Sequence, residues 1–148
     1  MIPKFDHNGN LPPGVYVCEW EEFKQRFGTN FLRSRMIQGL ELAMGELKAA
    51  GCRTIYINGS FVTNEPQPGD FDACYDLETL NIDDLRANAP QLLNFYDRNA
   101  QKAKYKGELF PCSQPVGNYG NSSLDFFQQD RQGNAKGIIA IDLMRWEP

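Results

Sequence analysis

The spacing of hydrophobic and polar positions predicts an alternation of helices and short strands. Hydrophobic residues recur every three to four positions in residues 19–27 and again from about 30 to 50, which is typical of two amphipathic helices. Gly28 and Gly51 would end these helices. Short hydrophobic runs that are too brief for helices predict strands at residues 53–57, 70–75, 108–112 and 137–144.

The polar stretch between the second and third of these strands predicts two further helices. One covers residues 82–88. The other begins at Pro90, a residue suited to the first turn of a helix, and continues to about Lys102. A basic run closes this second helix, and cations at the carboxyl end of a helix are favourable without any further function.

Proline and glycine mark the irregular parts of the chain. Residues 1–17 contain three prolines and two glycines and predict an extended arm on the surface. Residues 115–122 predict a loop, and residues 130–134 predict a turn. Residues 124–129 fit either a helix or a strand, and we favour a short helix. Since no linker or repeat is visible, residues 1–148 predict a single α+β domain in which a small mixed sheet packs against helices.

Composition and charge exclude several classes of protein. Among the 148 residues, no hydrophobic run approaches the ~20 residues that span a bilayer, and the first residues do not resemble a signal peptide, so we expect a cytoplasmic protein without membrane association. A net charge of −4 argues against tight nonspecific binding of nucleic acid. Four widely spaced cysteines predict reduced, mostly buried thiols rather than a zinc or dithiol site.

The candidate chemistry begins where the strand at 53–57 ends. Gly59 and Ser60 follow it closely, and small residues there let the backbone approach a ligand. Asp70 and Asp72 come next, and on an extended chain residues two apart point to the same face. Adjacent carboxylates repel each other and are costly to desolvate, so a divalent cation stabilises such a pair most readily. Oxygen ligands completed by water suit Mg²⁺.

A third acid interrupts the last hydrophobic strand. Asp142 lies between Ile141 and Leu143, where a charge is costly unless it is paired or bound to a metal. Asp142 is therefore the most informative acid outside the pair formed by Asp70 and Asp72.

These residues resemble the signature of a known superfamily. Gly59-Ser60, the spacer after it, Asp70-x-Asp72 between hydrophobic neighbours and the later Asp142 are similar to the pattern of nucleotidyltransferases, the fold of DNA polymerase beta and of small antitoxin-paired nucleotidyltransferases. Over nearly its whole length the chain resembles more closely a bacterial family of small nucleotidyltransferase-like proteins of unassigned function. The resemblance implies a minimal nucleotidyltransferase fold.

The resemblance also implies roles for individual residues. It implies transfer of a nucleoside monophosphate from a nucleoside triphosphate to a hydroxyl group, with Mg²⁺ or Mn²⁺ held by three catalytic carboxylates, those of Asp70, Asp72 and Asp142. Gly59 and Ser60 would contact the triphosphate. Lys136, just before the last strand, would face a phosphate, although a surface lysine in a turn is the alternative.

The sequence does not identify the acceptor or a partner protein. The chain is too short for a processive polymerase, so the acceptor would be an RNA 3′ end, a protein or a small molecule. The resemblance implies a place in a toxin–antitoxin or phage-defence module. The alternative is a catalytically silent protein of the same fold that binds a cognate partner protein. Several basic residues are either solvated or contacts to an anion or phosphate, namely Arg33, Arg35, Lys102, Lys104 and Lys106.

Overall fold

A five-stranded mixed sheet forms the centre of the fold. The computed structural model describes residues 1–113, 115–116, 121–122, 128 and 135–148. Within these ranges the strands are β1 (Val15–Val17), β2 (Thr54–Asn58), β3 (Phe71–Tyr75), β4 (Gly107–Pro111), β5 (Pro115–Val116), β6 (Asn121–Ser122) and β7 (Ile138–Asp142). The sheet has the order β1-β7-β2-β3-β4, in which β1 and β7, and also β3 and β4, are parallel. The short strands β5 and β6 form a separate antiparallel pair.

Helices cover one face of this sheet. They are α1 (Trp20–Phe27), α2 (Phe31–Ala49), α3 (Ile82–Asn88) and α4 (Arg98–Tyr105) within the described ranges. Asn30 caps α2, because its side chain accepts a hydrogen bond from the Arg33 amide, and Asp97 caps α4 in the same way. The parallel strands β3 and β4 are connected through α3 and α4, as parallel pairing requires a long crossover.

Alternation along the strands divides the buried residues between the two faces. Ile55 and Ile57 of β2 join the main core with the hydrophobic faces of α1 and α2. Tyr56, on the opposite face, packs with Cys74 and Ile138 in a smaller cluster. Since β7 contributes to both clusters, residues 138–141 are buried throughout, as their continuous hydrophobic run predicted.

The fold class is the predicted one, α+β with a mixed sheet, but two predicted elements differ. The helix predicted from Pro90 to about Lys102 is wrong, because a 3₁₀ turn at Pro90–Leu92 is followed by a separate helix that starts after Asp97. Residues 115–122, predicted as a loop, contain β5 and β6. The helix predicted at 124–129 and the turn at 130–134 lie outside the described residues, apart from residue 128.

The amino-terminal arm is extended but is not confined to the surface. Ile2 and Leu11 are buried in the main core, and the end of the arm forms β1 at the edge of the sheet. His7 is exposed, as expected of an arm residue. No helix in the described ranges has the length and hydrophobicity to cross a membrane. The four cysteines are free, three of them buried and Cys112 half-buried.

Candidate active site

The glycine-serine turn lies at the end of β2. Gly59 has a φ of 85°, a conformation that side chains other than glycine rarely adopt, and it starts the 3₁₀ turn at Ser60–Val62. A Cβ atom at position 59 would lie 2.8 Å from Asp72 Oδ2. Glycine is therefore required here both for its backbone conformation and for the close approach of the Asp72 carboxylate. Gly59 is buried, whereas Ser60 is exposed.

A buried arginine holds this turn in place. The Arg33 guanidinium donates hydrogen bonds to the carbonyl oxygens of Phe61 at 2.7 Å and Thr63 at 2.9 Å, and further bonds to those of Phe27 and Glu65. Burial lowers the pKa of Arg33. The expectation that Arg33 is either solvated or held by an anion is therefore wrong, because the backbone carbonyls around the turn satisfy it. Arg33 is a positioning residue for the segment that contains Ser60.

Three carboxylates meet beside the turn. Asp72 of β3 is paired with Asn58 of β2, and Asp70 lies two residues earlier on the same side of the extended chain. The parallel pairing of β3 with β4 puts Glu108 directly beside Asp72. Since Phe71 and Leu109 belong to the main core, alternation turns Asp72 and Glu108 to the opposite face of the sheet, where side chains of α4 reach Glu108. The first residues of two parallel strands thus carry an acidic group at one end of the sheet.

Two basic residues of α4 pair with these acids. Lys102 Nζ lies 3.1 Å from Asp70 Oδ2 and 3.7 Å from Glu108 Oε1, so it bridges the two carboxylates. Arg98 Nε donates a hydrogen bond of 2.7 Å to Glu108 Oε1. The Glu108 side chain is only 7% exposed, and burying a charged group at that depth is costly unless it is paired in this way.

The ionised form of the Asp72 side chain is destabilised by its surroundings. Its burial, together with the negative charges of Asp70 and Glu108, raises its pKa to about 7, and the positive charges of Lys136 and Lys102 oppose this rise. Within the described residues the buried Asn58 Oδ1, on the strand paired with Asp72, accepts no hydrogen bond. The Asp72 carboxylate, in its ionised form, and the unsatisfied amide oxygen of Asn58 both favour a positively charged ligand at this place.

Asp142 does not join this group, contrary to the prediction. It pairs with Thr54 at the start of β2, whereas Asp72 pairs with Asn58 at the end of β2 on its other side. Four residues along a strand correspond to roughly 13 Å, in addition to the spacing between strands. Asp142 instead caps a turn, because its Oδ1 accepts a hydrogen bond of 2.9 Å from the Met144 amide. The antiparallel direction of β7 explains the error, since its carboxyl end lies at the opposite end of the sheet.

The remaining predicted residues lie at the end of the sheet that carries the acids. Lys136 precedes β7 by two residues, and its charge acts on Asp72. Sequence reasoning missed Glu108 as a site residue and left Lys102 undecided. The signal for Glu108 was an acid at the start of a hydrophobic strand, a position that it shares with Asp72.

Several oxygen donors of the kind that divalent cations prefer lie at this end of the sheet. In the part of the chain that the structure describes, no three His, Cys, Asp or Glu side chains form a ready-made metal site. Asp70, Asp72 and Glu108 nevertheless supply hard oxygen donors, of which Asp72 is destabilised by its surroundings, and Asn58 adds an unsatisfied oxygen. The ammonium group of Lys102 stands between two of these acids and already supplies one positive charge.

Comparison with known proteins identifies a family but no activity. The profile described as "Family of unknown function (DUF6932)" matches residues 3–142, so the chain belongs to this family. No curated protein and no solved structure matches the chain. Function must therefore be argued from the chemistry of the site.

Proposed function

We propose that this member of the DUF6932 family is an Mg²⁺-dependent nucleotidyltransferase, which transfers a nucleoside monophosphate from a nucleoside triphosphate to a hydroxyl group. The observation that carries the proposal is the meeting of Asp70, Asp72 and Glu108 beside the turn at Gly59-Ser60. Glu108 takes the role that the sequence alone gave to Asp142. The proposal includes a cytoplasmic setting, since the widely spaced cysteines of the sequence predict reduced thiols.

Asp70, Asp72 and Glu108 would hold the divalent cation, which when bound neutralises charge on the phosphates and favours ionisation of the acceptor hydroxyl. Gly59, which carries no side chain, lets the Asp72 carboxylate lie close to the backbone of the turn, and the adjacent exposed Ser60 is available as a hydrogen-bond donor to a phosphate. Lys136 adds positive charge at the same end of the sheet. Lys102 would exchange its carboxylate partners for phosphate oxygens once another cation balances the acids.

The reaction balances without any further reactant. The oxygen of the acceptor hydroxyl forms a bond to the α-phosphorus, and the bond from this phosphorus to the bridging oxygen breaks. Pyrophosphate leaves with that oxygen and its electron pair. The hydroxyl proton passes to a carboxylate of the site and then to solvent.

The test is a labelling assay with four nucleoside triphosphates, Mg²⁺ and either total RNA or cell lysate. Asp72→Asn and Glu108→Gln should each reduce transfer at least about 100-fold, as expected when a group that stabilises the reacting phosphate is lost. Asp142→Asn is the matched control, because it removes a carboxylate at the far end of the sheet and should leave transfer intact. Equal activity of wild type and Glu108→Gln, or loss of activity in a folded Asp142→Asn, would contradict the proposal.

One observation favours a second candidate, a catalytically silent protein of this architecture that binds a partner protein in a two-gene defence or toxin–antitoxin module. Lys102 and Arg98 already neutralise Asp70 and Glu108, so the acids have partners without any metal. Calorimetry with each nucleoside triphosphate and Mg²⁺ distinguishes the two candidates. A silent protein should show no nucleotide binding and should copurify with the product of a neighbouring gene.

A further inference from the structure

A cavity of about 330 Å³ lies next to the acidic group, between the start of α2 and the end of α4. Gly69 lies at its edge, and this residue immediately precedes Asp70. Lys102 also lines the cavity and contacts Asp70 Oδ2 at 3.1 Å. A molecule in the cavity would therefore lie beside the carboxylates, and it would leave the space next to the glycine-serine turn free.

The charge of the cavity is positive, although the chain as a whole carries −4. Three cations line the cavity, Arg35, Lys102 and Lys106, and no carboxylate does so among the residues that form it. In the described part of the chain Arg35 pairs with no acid, and Lys106 Nζ reaches only the carbonyl of Ala103, at 3.4 Å. Lys102 pairs with Asp70, so Arg35 and Lys106 are the two lining cations without an acidic partner among the described residues. Two such cations on an acidic protein favour an anionic ligand.

The other wall of the cavity is hydrophobic and includes an exposed aromatic ring. Leu32 and Met36 line this wall together with Phe31, which is 78% exposed. The Arg35 guanidinium lies 5.9 Å from the centre of the Phe31 ring, so an aromatic face and a cation are presented side by side. Such a pair suits a ligand that combines a flat ring with a phosphate, and the volume is in the range of small-ligand pockets.

We propose that this cavity binds a nucleotide as the acceptor, with its base on Phe31 and its phosphate at Arg35 and Lys106. The shared chemistry is that of a free nucleoside monophosphate or the terminal nucleotide of an RNA strand. Its role as acceptor rests on the proposed function, because only then does a hydroxyl beside Asp70 attack the α-phosphorus and release pyrophosphate. The binding itself depends on the cavity alone.

Isothermal titration calorimetry on the full chain tests the binding without Mg²⁺, in the presence of a chelator. Adenosine, guanosine, cytidine and uridine 5′-monophosphates are titrated separately, and at least one should bind. The corresponding nucleoside and ribose 5-phosphate should each bind at least about 10-fold more weakly, because each lacks one of the two contacts.

Variants assign the binding to the cavity. Phe31→Ala and Arg35→Gln should each weaken binding about 10-fold or more. Lys106→Gly should weaken it too, and it suits the φ of 70° at that position. Arg53→Gln, which changes another exposed arginine at the opposite end of the sheet, is the matched control and should leave binding unchanged.

The outcomes separate this inference from the proposed function. If no nucleotide binds at millimolar concentration, or if Phe31→Ala and Arg35→Gln bind as wild type does, the cavity is not a nucleotide site, even if Asp72→Asn abolishes transfer. If those two variants lose binding while Asp72→Asn keeps it, the site stands, even if no transfer is ever observed. Tighter binding of a short oligoribonucleotide than of the monophosphate, lost in Arg35→Gln, assigns the site to an RNA end, and the reverse order assigns it to a free nucleotide.

Discussion

Replacement of Asp72 by asparagine should stabilise the metal-free protein above neutral pH. The folded protein raises the pKa of Asp72 from 3.8 to about 7, mainly through burial and then through Asp70 and Glu108. If the whole pKa difference acted on folding, the ionised acid would destabilise the folded protein by roughly 4 kcal/mol. Partial exposure and relaxation of the site reduce this loss to about 2 to 4 kcal/mol. Asparagine has nearly the same shape, carries no charge, and brings an N–H donor close to the unsatisfied Asn58 Oδ1.

The sign of the pH dependence follows from the direction of the shift. Below about pH 4 the Asp72 carboxyl is protonated in the folded and the unfolded chain, so it contributes no difference. As the pH rises from 4 to 7, the unfolded chain releases its proton while the folded protein retains it, and folding stability falls. Above pH 7 the penalty is complete and constant. The stability advantage of Asp72→Asn should therefore grow between pH 4 and 7 and then level off.

Urea unfolding in the presence of a chelator, at one-unit pH steps from 4 to 8, measures this advantage. Asp142→Asn changes the net charge equally at the other end of the sheet and is the control. Addition of Mg²⁺ should stabilise wild type and narrow the gap to Asp72→Asn, because a cation favours the ionised acid. If Asp72→Asn is no more stable than wild type at pH 8, the acid is not destabilised by its surroundings and the electrostatic reasoning fails.

Three further substitutions and one control substitution test how the site is supported, each measured by urea unfolding at pH 7. Arg33→Met should cost about 3 kcal/mol, because several buried carbonyls lose their donor, and unchanged stability would exclude the positioning role. Gly39→Ala should cost about 2 kcal/mol, since its Cβ would overlap a backbone carbonyl of α4, whereas Gly45→Ala meets no atom and should stabilise slightly. Gly59→Ala should cost about 1 to 3 kcal/mol through its positive φ.

Local signals in the sequence were sufficient for most elements. The helix at 82–88 was predicted with its observed ends, and Gly28 follows α1 directly. The false helix from Pro90 arose because hydrophobic spacing was followed through Asp97, whose capping side chain starts a new helix. Pairing between strands is not a local property, so the direction of β7 and the partner of β3 were not visible.

The candidate site could likewise be predicted only as far as local sequence determines it. Asp70, Asp72, Gly59 and Ser60 belong to one hairpin, and their proximity follows from the order of elements along the chain. Glu108 joins them only through the parallel pairing of β3 with β4, which depends on how α3 and α4 cross the sheet. The prediction for Arg33 was wrong because its position near the start of a helix does not indicate its partners. Most of these are backbone carbonyls of residues 61–65, about 30 residues away in the sequence.

The crossover between β3 and β4 has a consequence for the biogenesis of the protein. Asp72 and Glu108 are far apart in sequence, so the ribosome must release both helices of the crossover before the acids can assemble. A nascent or truncated chain that ends within this segment contains the turn at Gly59 and the pair Asp70 and Asp72. It lacks β4, the edge strand that carries Glu108. Activity at the candidate site would therefore require that the segment between β3 and β4 has been synthesised and has packed against the sheet.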